Sequence, residues 1–171
     1  MVAITITSEY GLVIWAAVSI IVECAVFSAS IGSYRRRIFN QEFMEREFGE
    51  EHKKATGQRI AVGGFPDTGN GWYSKKLSYK DWYDFNNAQR AHLNLVEFIF
   101  IVLPLLLLGG LYEPFWSAVA GFTFFLGRIL YSIGYKAKGP QGRLVGALIS
   151  EVALLPLLYF TVRFGYNLYT A

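Results

Sequence analysis

The stretch QRAHLNLVEF at 89–98 continues directly into the apolar run IFIVLPLLLLGGL at 99–111. An α-helix needs ~20 mostly apolar residues to cross ~30 Å of hydrocarbon, and residues 93–111 provide about that length. The polar half places Arg90, His92, Asn94 and Glu97 at the mouth of this helix. Charged groups near a bilayer are energetically expensive, so these side chains predict either a binding site or a polar contact between helices.

Apolar residues gather into four blocks of this length, at about 10–33, 93–111, 114–135 and 144–166. The 171 residues are 53% hydrophobic, and the mean hydropathy of +0.31 is higher than soluble domains usually show. A basic run follows the first block instead of preceding it, so this block is interpreted as a retained spanning helix and not as a signal peptide. We therefore predict an all-α, integral membrane four-helix bundle, with residues 1–171 forming a single domain.

The basic residues are unevenly distributed. Of the 16 Lys and Arg, ten lie between Arg35 and Lys80, whereas the first nine residues and the short connection at 109–113 carry none. The positive-inside rule places the first and third connections on the cytoplasmic side, or its equivalent, and both termini opposite. Nucleic-acid binding is disfavoured because basic charge dispersed beside a membrane is usually a topology signal. The single cysteine, Cys24, rules out a disulfide within the chain and a Cys-rich metal site.

The first connection, at about 34–83, is far longer than an ordinary loop, which predicts a functional or structured segment. Its first half lacks Gly and Pro until Gly49 and predicts an extension of the first helix beyond the bilayer. Near its end, Ser78 and Asp81 fit a capping box, so the second helix is expected to begin near Ser78. The short second and Gly/Pro-containing third connections predict that helices two, three and four pack as successive neighbours.

Helical spacing arranges polar residues in two stripes, and exposing either stripe to lipid would cost free energy. Basic side chains also lie at the cytoplasmic ends of helices one and four, so a pocket for a small anion is expected there, reached by an apolar co-substrate from the lipid. The alternative is that these groups, with Glu23 and Glu151, pair with one another and lock the bundle. The stripes are Arg90, Asn94 and Glu97 on helix two and Arg128, Tyr131 and Tyr135 on helix three.

Four segments, FNNAQRAHLNLVEF (85–98), GGLYEP (109–114), GRILYSIGY (127–135) and RLVGALIS (143–150), resemble a known family. It is the family of membrane-associated proteins in eicosanoid and glutathione metabolism. SEYGLVI (8–14) is similar as well. The resemblance implies a homotrimer that binds glutathione as co-substrate between protomers, without a metal, in the endoplasmic reticulum or mitochondrial membrane.

The resemblance also implies roles for individual residues. Arg143 matches an arginine that activates the glutathione thiol in one member of the family. Phe98 stands where some members have a tyrosine, and the first connection is longer than is usual. The positions matching glutathione-binding residues are Arg35, Arg36, Arg90, His92, Asn94, Glu97, Tyr131 and Tyr135.

Three functions remain open. The first is a membrane glutathione transferase, with glutathione-dependent peroxidase as a second activity, acting on a lipophilic electrophile or a lipid hydroperoxide that arrives through the membrane lipid. The second is a non-catalytic accessory subunit of a large membrane complex, which the long first connection favours. The third is a lipid-binding protein of the activator type, which the polar residues on helices two to four argue against.

Overall fold

Four long helices dominate the computed structural model, which describes residues 5–170. They are α1 (Tyr10–Ile38), α3 (Tyr79–Gly110), α4 (Pro114–Lys138) and α5 (Leu144–Thr170). Each is long and apolar enough to cross a membrane, and residues 5–170 contain no strand. A shorter helix, α2 (Gln41–Thr56), and a 3-10 turn at Ser74–Lys76 lie in the first connection, and Gly139–Gln141 forms another such turn. The prediction of an all-α, multi-pass membrane bundle is confirmed.

Helix α4 packs against the three other long helices, and α3 contacts both α1 and α5. Small residues bring the backbones close, as is common where helices meet in lipid. A Cβ on Gly121 would lie 2.9 Å from the Cβ of Ala16, and one on Gly146 would collide with the backbone nitrogen of Tyr131. The predicted sequential packing of the last three long helices is confirmed. The core residues include Val13, Ala16, Ile20, Leu95, Val102, Leu106, Phe124 and Leu157.

Helix α1 extends past its apolar block to Ile38 but does not continue through the charged sequence. The chain turns at Phe39 and Asn40, and the side chain of Asn40 accepts a hydrogen bond from the backbone N–H of Phe43 at 2.9 Å. An asparagine in this position caps a new helix, which here is α2. The prediction of one continuous helix was therefore wrong beyond Ile38, because the buried ring of Phe39 and the N-cap residue Asn40 separate α1 from α2.

Residues 39–78 fold into a compact unit, here called the cap, against the ends of α1 and α3. Its core contains the buried side chains of Phe39, Met44, Phe48 and Ile60, which pack with Phe85 of α3. The rings of Phe39 and Phe85 meet edge to face with centroids 5.5 Å apart. The first connection was predicted to be either functional or partly structured, and the structure shows that it is folded.

Helix α3 begins where the sequence predicts. The hydroxyl oxygen of Ser78 accepts a hydrogen bond from the backbone N–H of Asp81 at 3.1 Å. The same hydroxyl donates to the carboxylate of Asp81 at 2.7 Å, instead of leaving that carboxylate to reach the backbone N–H of Ser78. This start places Arg90 to Glu97 three to five turns along α3, ahead of its most apolar part.

Candidate functional site

Two tyrosines of α4 and an arginine at the start of α5 form the first half of the candidate site. A guanidinium nitrogen (Nη1) of Arg143 donates a hydrogen bond to the hydroxyl of Tyr131 at 3.0 Å. The guanidinium also lies 5.5 Å from the ring centroid of Tyr135, and the two tyrosine rings are 5.6 Å apart. Both tyrosines are buried, whereas Arg143 is half-buried. This half therefore presents a positive charge beside two phenol rings.

Close contact between α4 and α5 holds these groups together. A Cβ on Gly127 would lie 2.6 Å from the hydroxyl oxygen of Ser150, and one on Gly134 would collide with the backbone carbonyl oxygen of Gly142. Only glycine permits this approach, and it brings the first turn of α5 alongside Tyr131. The hydrogen bond to Tyr131 holds the pKa of Arg143 above its ordinary value, so the guanidinium remains charged.

Arg128 joins this half to α3. Its side chain is 1% exposed, and Nη1 donates to Oδ1 of Asn94 at 3.0 Å. The guanidinium carbon lies 4.0 Å from the ring centroid of Tyr131. The amide of Asn94 in turn donates to the carboxylate of Glu97 at 3.4 Å. The side chain of Asn94 therefore links Arg128 to Glu97. No ion pair joins Arg128 and Glu97 directly among residues 5–170.

The predicted α3 stripe leads outward from this contact. Glu97 and Arg90 are exposed, and Arg90 lies one turn before Asn94 on the same face. Within the described part of the chain Arg90 forms no ion pair. Together these groups form a row of charged and hydroxyl side chains that is exposed at Arg90 and Glu97. The row consists of Arg90, Asn94, Glu97, Arg128, Tyr131, Tyr135 and Arg143.

His92 lies apart from that row, as its off-stripe spacing predicts. It is half-buried, and its Nδ1 atom has no hydrogen-bond partner among residues 5–170. Its electrostatic neighbour is Lys136 of α4. Lys136 donates to the hydroxyl of Ser30 on α1 at 3.3 Å. His92 therefore lies near a contact that α4 makes with α1.

The two predicted residues on α1 have different surroundings. Arg35 is 5% exposed and donates to the carbonyl oxygens of Gly63 at 3.0 Å and Asp67 at 2.5 Å. Its guanidinium also lies 4.2 Å from the ring centroid of Phe65. Arg36 is exposed. Within one chain, Arg35 serves the cap and neither residue joins the row on α3, α4 and α5.

Asp67, which the sequence analysis did not single out, organises the cap. Its carboxylate accepts hydrogen bonds from the backbone N–H groups of Gly69, Gly71 and Ser74 and from the hydroxyl of Ser74, at 2.7–2.9 Å. Burial alone raises the pKa of this carboxyl, but the four hydrogen bonds outweigh it and hold the pKa below its ordinary value. The signal in the sequence was an aspartate followed by closely spaced glycines, DTGNG (67–71).

Side-chain contacts in the structure thus join five of the nine predicted site residues. Residues 5–170 contain no cluster of His, Cys, Asp and Glu suited to a metal ion. Arginines beside tyrosine hydroxyls and an exposed carboxylate suit a polar ligand with both negative and positive groups. The five residues are Asn94, Glu97, Tyr131, Tyr135 and Arg143.

The chain also matches a known protein family. The family model described as the MAPEG family matches residues 12–163, which cover α3 and α4 in full, most of α1 and α5, and the row of polar residues.

Proposed function

The chain belongs to the MAPEG family, and on this premise we propose that it is a membrane glutathione transferase. It conjugates the glutathione thiolate to lipophilic electrophiles, with reduction of lipid hydroperoxides as a second activity. The observation that carries the proposal is the guanidinium of Arg143 on the hydroxyl of Tyr131, beside Arg128 and Asn94. The finer assignment that we propose is microsomal glutathione S-transferase type 3, from the segments QRAHLNLVEF and GRILYSIGY.

The charges of the row complement those of glutathione. At neutral pH this tripeptide carries two carboxylates and one ammonium group, besides its thiol. Arg90 and Arg128 supply guanidinium donors, which grip carboxylates well, and Nε and Nη2 of Arg128 have no partner within residues 5–170. The exposed carboxylate of Glu97 suits the ammonium group. We assign Asn94 and Tyr135 to hydrogen bonds with the peptide.

Arg143 has the catalytic role in this proposal. A guanidinium beside a thiol stabilises the thiolate and so lowers the thiol pKa, which increases the fraction of reactive nucleophile. The thiol proton passes to solvent, the sulfur–carbon bond forms, and the leaving group of the electrophile departs with its electron pair. With a hydroperoxide, two thiols supply two electrons, the O–O bond breaks, and an alcohol, water and glutathione disulfide result.

We propose that the chain works as a homotrimer with glutathione between protomers. The outer side of the row is open, since Arg90 and Glu97 are exposed, and the exposed Arg36 is free to serve a neighbouring protomer's row. His92 and Arg35 remain predicted glutathione ligands in that assembly. We place the row on the cytoplasmic side of the endoplasmic reticulum or mitochondrial membrane, because the basic connections adjoin it.

Arg143→Ala tests the function, with Lys138→Ala as the matched control because Lys138 is an exposed cation of the same connection. Loss of one group that stabilises the reacting anion lowers kcat/KM about 100-fold, and the pH profile of the remaining activity moves to higher pH. Conjugation to a chromogenic aryl halide and calorimetric titration of glutathione measure the two effects. Wild-type protein that neither binds glutathione nor conjugates it, or an Arg143→Ala variant as active as Lys138→Ala, contradicts the proposal.

One observation favours the second candidate, an accessory subunit of a large membrane complex. The folded cap exposes Phe65 and Trp72, which are 70% and 61% exposed, and Tyr79 at the adjoining start of α3 is 76% exposed. Aromatic side chains are enriched where proteins meet. Gentle extraction from native membranes distinguishes the two functions. A single copy bound through the cap to other chains, without conjugation activity, supports the subunit, whereas an active homotrimer supports the transferase.

A further inference from the structure

An apolar groove of about 380 Å³ runs between α1 and α4 on the surface of the bundle. Its walls are formed by side chains such as Trp15, Val22 and Val26 of α1 and Phe125 and Ile129 of α4. Such a groove on a membrane-spanning surface is accessible to molecules dissolved in lipid. One acidic residue, Glu23, also lines it.

Glu23 is unusual among the side chains of the groove. It is 5% exposed, and neither carboxyl oxygen has a hydrogen-bond partner among residues 5–170. Buried polar groups almost always find such partners, and an acid inside a membrane span is a functional candidate by default. The sequence predicted that Glu23 is either partnered across a helix interface or protonated. Arg128 interacts with Glu23 electrostatically, but the two residues do not form an ion pair.

From this geometry we propose that the groove binds a lipophile whose polar end is a hydroxyl group. The hydrocarbon part lies along the apolar walls, and the hydroxyl donates its hydrogen bond to the carboxyl group of Glu23. The binding gives a buried acceptor its missing donor and covers apolar surface at the same time.

The neighbouring charges select a neutral head group. A fatty acid or a fatty amine carries an ionised head group, and moving that charge out of water into a groove lined by apolar side chains and one buried acid costs free energy. A fatty amine would also bring a second cation towards Arg128, which interacts electrostatically with Glu23. A hydroxyl group avoids both penalties and still supplies a donor.

This inference does not depend on the proposed transferase activity. Glu23 belongs to neither stripe, and the groove is lined by residues of α1 and α4 outside the row that contains Arg143. Arg128 connects the two regions, since it donates a hydrogen bond to Asn94 and interacts electrostatically with Glu23.

Photolabelling of the full-length protein in phosphatidylcholine nanodiscs tests the inference. The probe is hexadecanol that carries a diazirine next to the hydroxyl-bearing carbon, and labelled peptides are mapped by mass spectrometry. We expect saturable labelling of α1 around Val22 and of α4 around Phe125. Unlabelled hexadecanol should compete better than hexadecanoic acid or hexadecylamine.

Glu23→Leu should weaken the apparent affinity for the probe about tenfold, as loss of one hydrogen bond implies. Glu151→Leu is the matched control, because Glu151 is an exposed acid in the apolar part of α5. Val22→Trp fills the groove while keeping Glu23, and should abolish the labelling even if Glu23→Leu does not fold. Labelling outside the groove, equal competition by the three compounds, or unchanged affinity in Glu23→Leu would overturn the inference.

Discussion

Two buried arginines show how the cap and the membrane bundle differ. Arg35 gives its hydrogen bonds to two backbone carbonyls of the cap, and its guanidinium lies over the rings of Phe65 and Phe85. Arg128 has one hydrogen bond, to Asn94, and its Nε and Nη2 atoms have no partner among residues 5–170. Both side chains are at most 5% exposed, so burial does not distinguish them.

The difference holds for the two regions as wholes. Among the described residues, every buried side-chain polar atom without a partner belongs to the long helices, in Glu23, His92, Ser117, Arg128 and Arg163, and none to the cap. A buried polar group whose hydrogen bonds are all made within the protein stabilises the fold. A buried polar group without a hydrogen-bond partner can still gain free energy by binding a ligand. The cap therefore has the features of a structural element, and the bundle those of a binding site.

The largest expected loss of stability comes from disrupting the close contact between α4 and α5, which positions the side chains of the polar row. Gly146→Ala places a Cβ against the backbone nitrogen of Tyr131, where no side chain can move aside, and should cost more than about 3 kcal/mol. Gly165→Ala on the same helix is the control, because a Cβ there meets nothing within 4 Å. Thermal unfolding in detergent measures both variants. Equal stability of the two would mean that α4 and α5 are not held by this contact.

A smaller loss is expected from Arg35→Lys, which sharpens the contrast between the two arginines. Lysine keeps the charge but lacks the planar fork that reaches two carbonyls, so the cap should lose about 2 kcal/mol of local stability. Hydrogen exchange at the amides of residues 60–75 reports the cap, and Arg37→Lys is the exposed control.

The same variant separates the structural role of Arg35 from its predicted role as a glutathione ligand. If Arg35 serves the cap alone, exchange accelerates in the cap while the affinity for glutathione stays unchanged. Weaker glutathione binding with unchanged exchange in the cap would show instead that Arg35 reaches a ligand, as the family resemblance predicts.

These outcomes bear on how far the sequence alone could lead. Hydropathy and helical spacing predicted the four spanning helices and the faces of Asn94, Tyr131 and Tyr135, because both signals are local. The surroundings of Arg35 were not predictable, since its partners Gly63 and Asp67 lie 28 and 32 residues away. A basic residue at the end of a spanning helix has the same appearance whether it flanks the membrane, binds a ligand or anchors a loop.

Glu23 and the break at Asn40 show the same limit in two other forms. The sequence placed Glu23 inside an apolar block, but only the packing of α1 on α4 shows that its carboxyl has no partner there. The charged run after Ile38 has good helix formers, and its propensity did not reveal that Phe39 turns into the core of the cap.

Asp67 makes the stability of the cap depend on pH. Because its pKa in the folded protein is below the ordinary value, its contribution is fully present above the pKa of the unfolded chain. The contribution is lost as the pH falls through the folded pKa. Asp67→Asn should cost about 1.5 kcal/mol at neutral pH, since a charged acceptor of several N–H groups is replaced by a neutral amide.

The measurement for Asp67→Asn is exchange in the cap between neutral and acidic pH. The wild-type cap should loosen towards acid, and the variant should show a weaker dependence on pH. Asp84→Asn is the control, since the carboxylate of Asp84 is bound by the exposed Lys80 and lies outside the cap. An unchanged acid response in Asp67→Asn would assign the pH dependence to other groups.

The smallest effect is expected where the cap ends and the bundle begins. Ser78→Ala removes the side-chain acceptor from the N-terminus of α3 and should cost about 1 kcal/mol. Ser78→Asp keeps an acceptor there and should retain most of that stability, although it loses the hydroxyl that bonds Asp81. Amide exchange in the first turn of α3 measures both variants. Faster exchange confined to residues 79–85 would show that the two regions unfold separately, whereas acceleration that spreads to Asn94 would mean that the cap and the open polar row are one cooperative unit.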